Sequence, residues 1–212
     1  MSMTMSNQAG PRERKKAATR QMISNVATRL FIERGFENVS VDEIASEAAV
    51  SRKTVFNYFP RKEDLVFDRE EEGRALVRQA IVARGKLAPV PAFQALMRAL
   101  LDKQHPLFKI TERPVQFWRG VADSPALTAR ARELQVTLAD DLAGMLSDAV
   151  GRSHVDPDAR LAAAMLIDTL VVAYSEALRI FGEKGKAGAA FARVMERGFV
   201  GVNAALAGTP YI

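Results

Sequence analysis

With 212 residues, 48% hydrophobic and 26% charged, the chain has enough apolar side chains for one or two packed domains and too many for bulk disorder. It contains no cysteine, which excludes disulfides, thiolate metal sites and cysteine nucleophiles and fits a reducing cytoplasm. The net charge of +5 permits an acidic partner, but the bias is mild: residues 1–65 carry 11 Lys/Arg against 8 Asp/Glu, and residues 66–212 carry 19 against 17.

The first segment, MSMTMSNQAGP, is polar and lacks the apolar stretch of a secretory signal, so residues 1–11 are expected to form a mobile tail. The cations Arg12, Arg14, Lys15, Lys16 and Arg20 face one Glu13; they read as a solvated helix flank or as a phosphate-contacting stretch. A first helix is predicted over 11–34, with Ile23, Val26, Ala27, Leu30 and Phe31 inward and Gly35 ending it in a left-handed conformation. Ser40-Val-Asp-Glu43 has the spacing of a capping box and opens a short second helix through Ile44, Ala45 and Ala48. Ser51 then caps a third helix, giving helix, tight turn, helix.

In such a unit the third helix packs one face on its neighbours and presents the other to the major groove. Val55 and Phe59 are expected to pack with Ile44 and Val50, leaving Arg52, Lys53, Thr54, Phe56, Asn57 and Tyr58 at least partly exposed. Arg and Lys suit guanine O6/N7, Asn suits adenine, and Thr or an aromatic edge suits the thymine methyl. Tyr58 can offer its hydroxyl to a phosphate, and Lys62, in the first turn of the next helix, its ammonium.

A long fourth helix is predicted from about Arg61 to Lys86, weakest at Glu70–Gly73. Prolines 89 and 91 are expected to break the pattern before a helix over 92–104, and Pro106, Pro114 and Pro125 break it again. Ser124-Pro125 and Asp156-Pro157 are helix starts: one helix runs to about Ala149, the next to about Phe181. The second contains LAAAMLIDTLVVAY, which is apolar almost all round and requires burial on more than one side; length and Asp168 argue against a membrane span. A last helix is expected over 187–206, with Gly198 and Gly201 allowing close approach. The last two helices together read as half of a four-helix homodimer interface, with Val171 and Val202 as candidate contacts.

FIERGFENVSVDEIASEAAVSRKTVFNYFPRKEDLV resembles the DNA-binding domain of the tetracycline-repressor-type (TetR) transcriptional regulators over residues 14–66. The similar features are the glycine ending helix one, the S-V-x-x-I-A opening helix two and the V-S-x-x-T-V-F-x-Y-F-x-x-K-x-x-L run. Alanine replaces the family's usual turn glycine at Ala49, where a positive φ would cost roughly 1 kcal/mol. The resemblance implies phosphate contacts from Ser40, Tyr58 and Lys62, and base or backbone contacts from Arg52, Lys53, Thr54 and Asn57.

The expected fold is all-α, with an N-terminal three-helix helix-turn-helix DNA-binding domain over 12–60 and a C-terminal helical ligand-binding and dimerisation domain over 61–212. The expected partners are a double-stranded DNA operator, an inverted repeat, and a small, largely apolar effector. Phe93, Met97, Phe108, Phe117, Trp118, Asp168 and Tyr174 are either core or the wall of an effector pocket. By resemblance, an effector between the 92–104, 108–118 and 124–150 segments would displace the fourth helix and change the half-site spacing. His105 and His154 lack partners at metal-ligand spacing, Asp140, Asp141 and Asp148 read as a solvated face, and FGEKGKAG lacks phosphate-loop spacing. No metal, cofactor or catalytic constellation is therefore expected. The reading is of a cytoplasmic regulator and not an enzyme, most simply a repressor; a DNA-binding protein without an effector and an enzyme on a helical scaffold remain open alternatives.

Overall fold

The computed structural model describes residues 10–107, 123–181 and 186–212, and among these every regular element is helical. The chain divides into two compact units, the first ending at Asp68 and the second beginning at Arg69. Residues 61–68, placed by sequence with the C-terminal domain, thus fall with the first unit.

The first unit holds α1 (Pro11–Arg34), α2 (Val41–Glu47), α3 (Arg52–Tyr58) and a 3-10 turn (Lys62–Leu65). Its core holds most of the predicted apolar set, Ile23, Ala27, Leu30 and Phe31 of α1 against Ile44, Ala45, Val55, Phe59 and Leu65, whereas Val26 and Val50 are only half-buried. Gly35 ends α1 at φ 82°, ψ 150°, a conformation essentially restricted to glycine, while its N–H donates to the Phe31 carbonyl. Ala49 does adopt a positive φ, 50°, in the turn between α2 and α3.

The long fourth helix does not form as one piece. After the 3-10 turn the chain breaks over 66–69, and α4 runs from Glu70 to Val82. The three glutamates expected to weaken a helix interior instead occupy a first turn, where free N–H groups and the helix dipole favour carboxylates.

The second unit continues with α5 (Pro89–Asp102), α6 (Pro125–Ala149), α7 (Pro157–Arg179) and α8 (Lys186–Ala205). Pro89 and Pro91 do not precede α5 but form its first turn, where missing N–H groups cost nothing. The one N–H between them, that of Val90, donates to the Tyr211 carbonyl at 3.1 Å. The C-terminal tail therefore folds back, with the Tyr211 side chain fully buried. The remaining starts follow the sequence signals: Ser124 caps α6 through the Leu127 N–H, and Asp156 caps α7 through the Asp158 and Ala159 N–H groups.

Alanines 159, 162, 163, 173 and 177 form the buried side of α7, which packs between α6 and α8. At 23 residues this helix is long and apolar enough by composition to cross a membrane, so the length argument against a span fails; here it is the central packed helix of its unit. Gly198 was expected to serve a twin subunit, but a Cβ there would lie 2.2 Å from Thr169 of α7 in the same chain. Val202, expected at the subunit surface, is fully buried, whereas its neighbour Val200 is 68% exposed.

Gly198→Ala should destabilise the protein by about 1–2 kcal/mol, because overpacking a β-branched neighbour outweighs the gain in helix propensity. Gly73→Ala, with no atom near its added methyl, should stabilise by roughly 0.5–1 kcal/mol. Urea unfolding of both variants reads the opposite signs directly.

Candidate nucleic-acid interface

A seven-residue helix is too short to hold itself together, so α3 depends on its ends and its buried face. At the N-terminus the Ser51 hydroxyl accepts the Thr54 N–H at 3.0 Å and lies 2.8 Å from the Thr54 hydroxyl. Val55 and Phe59 anchor one face in the core, as predicted. At the C-terminus the Arg20 guanidinium donates to the Tyr58 carbonyl at 3.0 Å, lies 4.4 Å over the Phe59 ring and pairs with Asp68 at 2.7 Å.

The opposite face of α3 presents Arg52, Lys53, Phe56 and Asn57 to solvent, with Thr54 and Tyr58 half-buried beside them. These six predicted residues are therefore brought onto one short surface. Arg52 is tied to Asp42 of α2 at 2.8 Å and lies 5.5 Å over the Phe56 ring. Both side chains of this pair are solvent-exposed, so Asp42 offsets only part of the positive charge on this face.

Two predicted phosphate contacts already have work within the fold. Ser40 is the N-cap of α2: its hydroxyl accepts the Glu43 N–H at 3.2 Å and lies 2.8 Å from Glu43 Oε2, which also accepts the Ser40 N–H. Asp42 and Glu43 add two carboxylates to this first turn. Lys62 starts a 3-10 turn and not a long helix, and its ammonium donates to the Phe36 carbonyl at 2.6 Å and lies 4.1 Å over the Phe36 ring. Burial lowers its pKa from the ordinary lysine value, while Glu37, Glu63 and Glu43 oppose the shift. Its remaining donors determine whether it also reaches DNA.

Arg20 is the residue that sequence reasoning placed differently, as part of a solvated or phosphate-binding run. The signal was present: residues 20, 23, 27 and 30 follow the three- and four-residue steps of the apolar stripe, so a cation at 20 is directed towards the core. Arg12, Arg14, Lys15 and Lys16 remain exposed on the first turns of α1, whose first buried side chain is Ile23.

The candidate effector residues separate. Phe93 and Met97 are buried in the core of the second unit, and Tyr174 packs edge-on against Phe191 with ring centroids 5.0 Å apart. The Tyr174 hydroxyl donates to the Leu107 carbonyl, and burial pushes the phenol above the ordinary tyrosine range. Asp168 lies elsewhere: it is exposed and accepts from Gln135 at 2.6 Å, not from Arg179, which pairs with Glu176. An exposed carboxylate served by a neighbouring helix is not the buried polar group that its apolar sequence context suggested. Phe108, Phe117 and Trp118 lie outside the described residues.

Two capped short helices with an exposed, cationic and aromatic outer face define a helix-turn-helix DNA-binding protein. Residues 23–68 match the family described as bacterial regulatory proteins, tetR family. The curated HTH-type transcriptional regulator UidR of Escherichia coli K12 is 24% identical over 142 residues, 66% of this chain and 70% of UidR. In fold, the chain is similar to the TetR-family repressor FadR of Thermus thermophilus, solved with lauroyl-CoA, at TM-score 0.54 and 23% identity over 84% of this chain and 92% of FadR. It is likewise similar to SmeT of Stenotrophomonas maltophilia solved with triclosan, at TM-score 0.55 and 18% identity over 87% of this chain and 91% of SmeT. Over residues 23–68 the chain thus carries a DNA-binding domain of the TetR family.

Asp42→Asn frees Arg52 and removes a negative charge beside the phosphates. It should tighten DNA binding about two- to fivefold at low salt, with the gain shrinking as salt rises. Fluorescence anisotropy at several salt concentrations measures it; weaker binding would mean that Asp42 orients Arg52 productively.

The Ser40 N–H and hydroxyl hold the Glu43 carboxyl below its ordinary 4.5, with burial opposing and Arg34 and Lys62 assisting. Because the folded value is lowered, the contribution is full above the unfolded pKa and is lost as pH falls through the folded one. Glu43→Gln should therefore flatten the acid limb of Tm against pH as pH falls below the ordinary carboxyl value of 4.5. An unchanged limb would exclude the capping box as a source of acid sensitivity.

Proposed function

We propose that the chain is a homodimeric, effector-responsive repressor that reads an inverted-repeat operator with α3 and leaves it when a small, largely apolar molecule binds the C-terminal unit. The observation that carries the first half is the outer face of α3: Lys53 and Asn57 are exposed donors without an intramolecular partner among the described residues, beside exposed Arg52 and Phe56. Asn57 suits adenine, Arg52 and Lys53 suit guanine or phosphate, and Phe56 suits a thymine methyl. Thr54 and Tyr58 border this surface, with the Tyr58 hydroxyl available to a phosphate. Ser40 and Lys62 act in this reading chiefly by fixing α2 and the 3-10 turn.

What supports a dimer is the apolar surface that α7 and α8 leave open. Leu161, Val171 and Val172 on α7 and Val200 on α8 are all exposed. Two copies joined through such faces would place two recognition helices for an inverted repeat, since a two-fold axis in the protein selects one in the DNA.

What supports an apolar effector is the size of the helical unit's core, with Phe93, Met97 and Tyr174 within it, together with the lauroyl-CoA and triclosan held by similarly folded FadR and SmeT. Phe108, Phe117 and Trp118 are proposed to join that wall. The chain passes from Asp68 to α4 through one residue, so a ligand that favours a different placement of α4 acts on the start of the helix that follows the DNA-binding unit. A hundredfold preference for the DNA-incompetent state corresponds to roughly 3 kcal/mol of coupling.

Selection of duplexes from a random pool tests the reading, and an inverted repeat is the expected product. Val200→Arg should yield monomers by light scattering and lose the inverted-repeat preference, whereas Val202→Arg should unfold the chain. Lauroyl-CoA and triclosan are the first probes for release of the selected duplex. A parent protein that is monomeric, or that selects no duplex, would overturn the proposal.

A further inference from the structure

We propose that Arg20 is a positioning residue for DNA recognition: it fixes the C-terminal end of α3 and makes that position depend on Asp68. The inference rests on α3 being the recognition helix and goes beyond it, because Arg20 lies on α1 and is committed to three partners within the first unit.

The C-terminal carbonyls of a helix lack intrahelical donors, and helices commonly meet the need with a glycine turn just beyond the end. That solution is absent here. Phe59 leaves α3 in an extended conformation, at φ −135° and ψ 92°, and the next residue, Pro60, has no N–H to offer. The Tyr58 carbonyl is instead served from a distant helix by Arg20, whose positive charge also suits the negative end of the helix dipole. The same planar guanidinium lies over Phe59, the aromatic that anchors the end of α3 in the core.

The third partner makes this arrangement more than a cap. Asp68 is the last residue of the first unit, and its side chain is only 9% exposed. A carboxylate so buried requires a cation. The adjacent Arg69 is committed to Glu72 through donors at 2.9 and 3.1 Å, which leaves the partnership with Asp68 to Arg20. Glu70, the first residue of α4, is two residues from Asp68, about 7 Å of fully extended chain. Any shift at the start of α4 must be absorbed at Arg69 or passed to Asp68. If Asp68 moves, Arg20 must either follow it and release Tyr58, or stay and leave the carboxylate unpaired.

The experiment compares parent protein, Arg20→Gln, Arg20→Lys and Asp68→Asn, binding a duplex selected by the parent from a random pool and a scrambled duplex. Anisotropy is measured at a temperature where circular dichroism shows each variant fully folded, so that loss of stability alone leaves affinity unchanged. Arg20→Gln should lose about tenfold for the selected duplex while binding the scrambled one nearly as the parent does. Asp68→Asn and Arg20→Lys should lose less, and the double variant Arg20→Gln/Asp68→Asn should be no weaker than Arg20→Gln, since both act through one contact. Should Arg20→Gln fail to fold, Arg20→Lys and Asp68→Asn carry the same comparison. Parent-like affinity in the folded variants overturns the proposal and leaves the recognition helix standing. Equal loss on both duplexes overturns it in favour of a direct phosphate contact. A parent that selects no duplex removes the recognition-helix reading and this proposal together.

Discussion

Seven residues cannot form a stable helix in water, and the proposed reading of DNA rests on such a helix. The structure meets that constraint by tying α3 down at every point that does not face outward. Ser51 supplies the cap at one end and Arg20 at the other, while Val55 and Phe59 bury the inner face. What remains, Arg52, Lys53, Phe56 and Asn57, is exposed, with Arg52 held to Asp42 and over the Phe56 ring. Rigid backbone with solvent-facing donors reduces the ordering that a DNA complex would otherwise demand.

The second unit meets a different constraint, the close packing of long helices along small-residue faces. Alanines on α7 let its neighbours approach closely, and Gly198 of α8 is occupied by Thr169 across the contact. Polar links join α5 to α8: buried Gln94 donates to Asn203 at 2.8 Å, and exposed Arg98 grips Glu196 through two donors at 2.7 Å. Arg74 joins Glu70 to Asp141, so α4 is fastened to α6 near its own first turn. The apolar positions left over, at 161, 171, 172 and 200, are the ones a second copy could cover.

Most of the fold was legible because its signals are local. Ser40-x-x-Glu43, Ser51, Ser124-Pro125 and Asp156-Pro157 each start a helix where the side chain and the missing N–H dictate. Reading failed where a local pattern admits two solutions. Prolines 89 and 91 suit the end of a loop or the first turn of a helix, and the carbonyl that decides between them comes from Tyr211, at the far end of the chain. Glu70–Glu72 suit a weak helix interior or a strong helix start, and the break after Leu65 selects the second. Val200 and Val202 have the same composition and opposite environments, a difference set by the phase of α8 against α7. For the site, residue types on α3 were sufficient to locate the outer face, but not to see that Arg52 pairs with Asp42, that Lys62 serves Phe36, or that Arg20 turns inward.

The central claim is that the outer face of α3 meets the bases while its inner face keeps the unit intact. Titration of isotope-labelled protein with its selected duplex, followed by NMR, addresses it residue by residue. The account predicts the largest perturbations at Arg52, Lys53, Phe56 and Asn57, with the Ile44 and Val55 methyl groups retaining their free-state environment. Perturbations that bypass these four residues, or that reach Ile44 and Val55 as strongly, would contradict it.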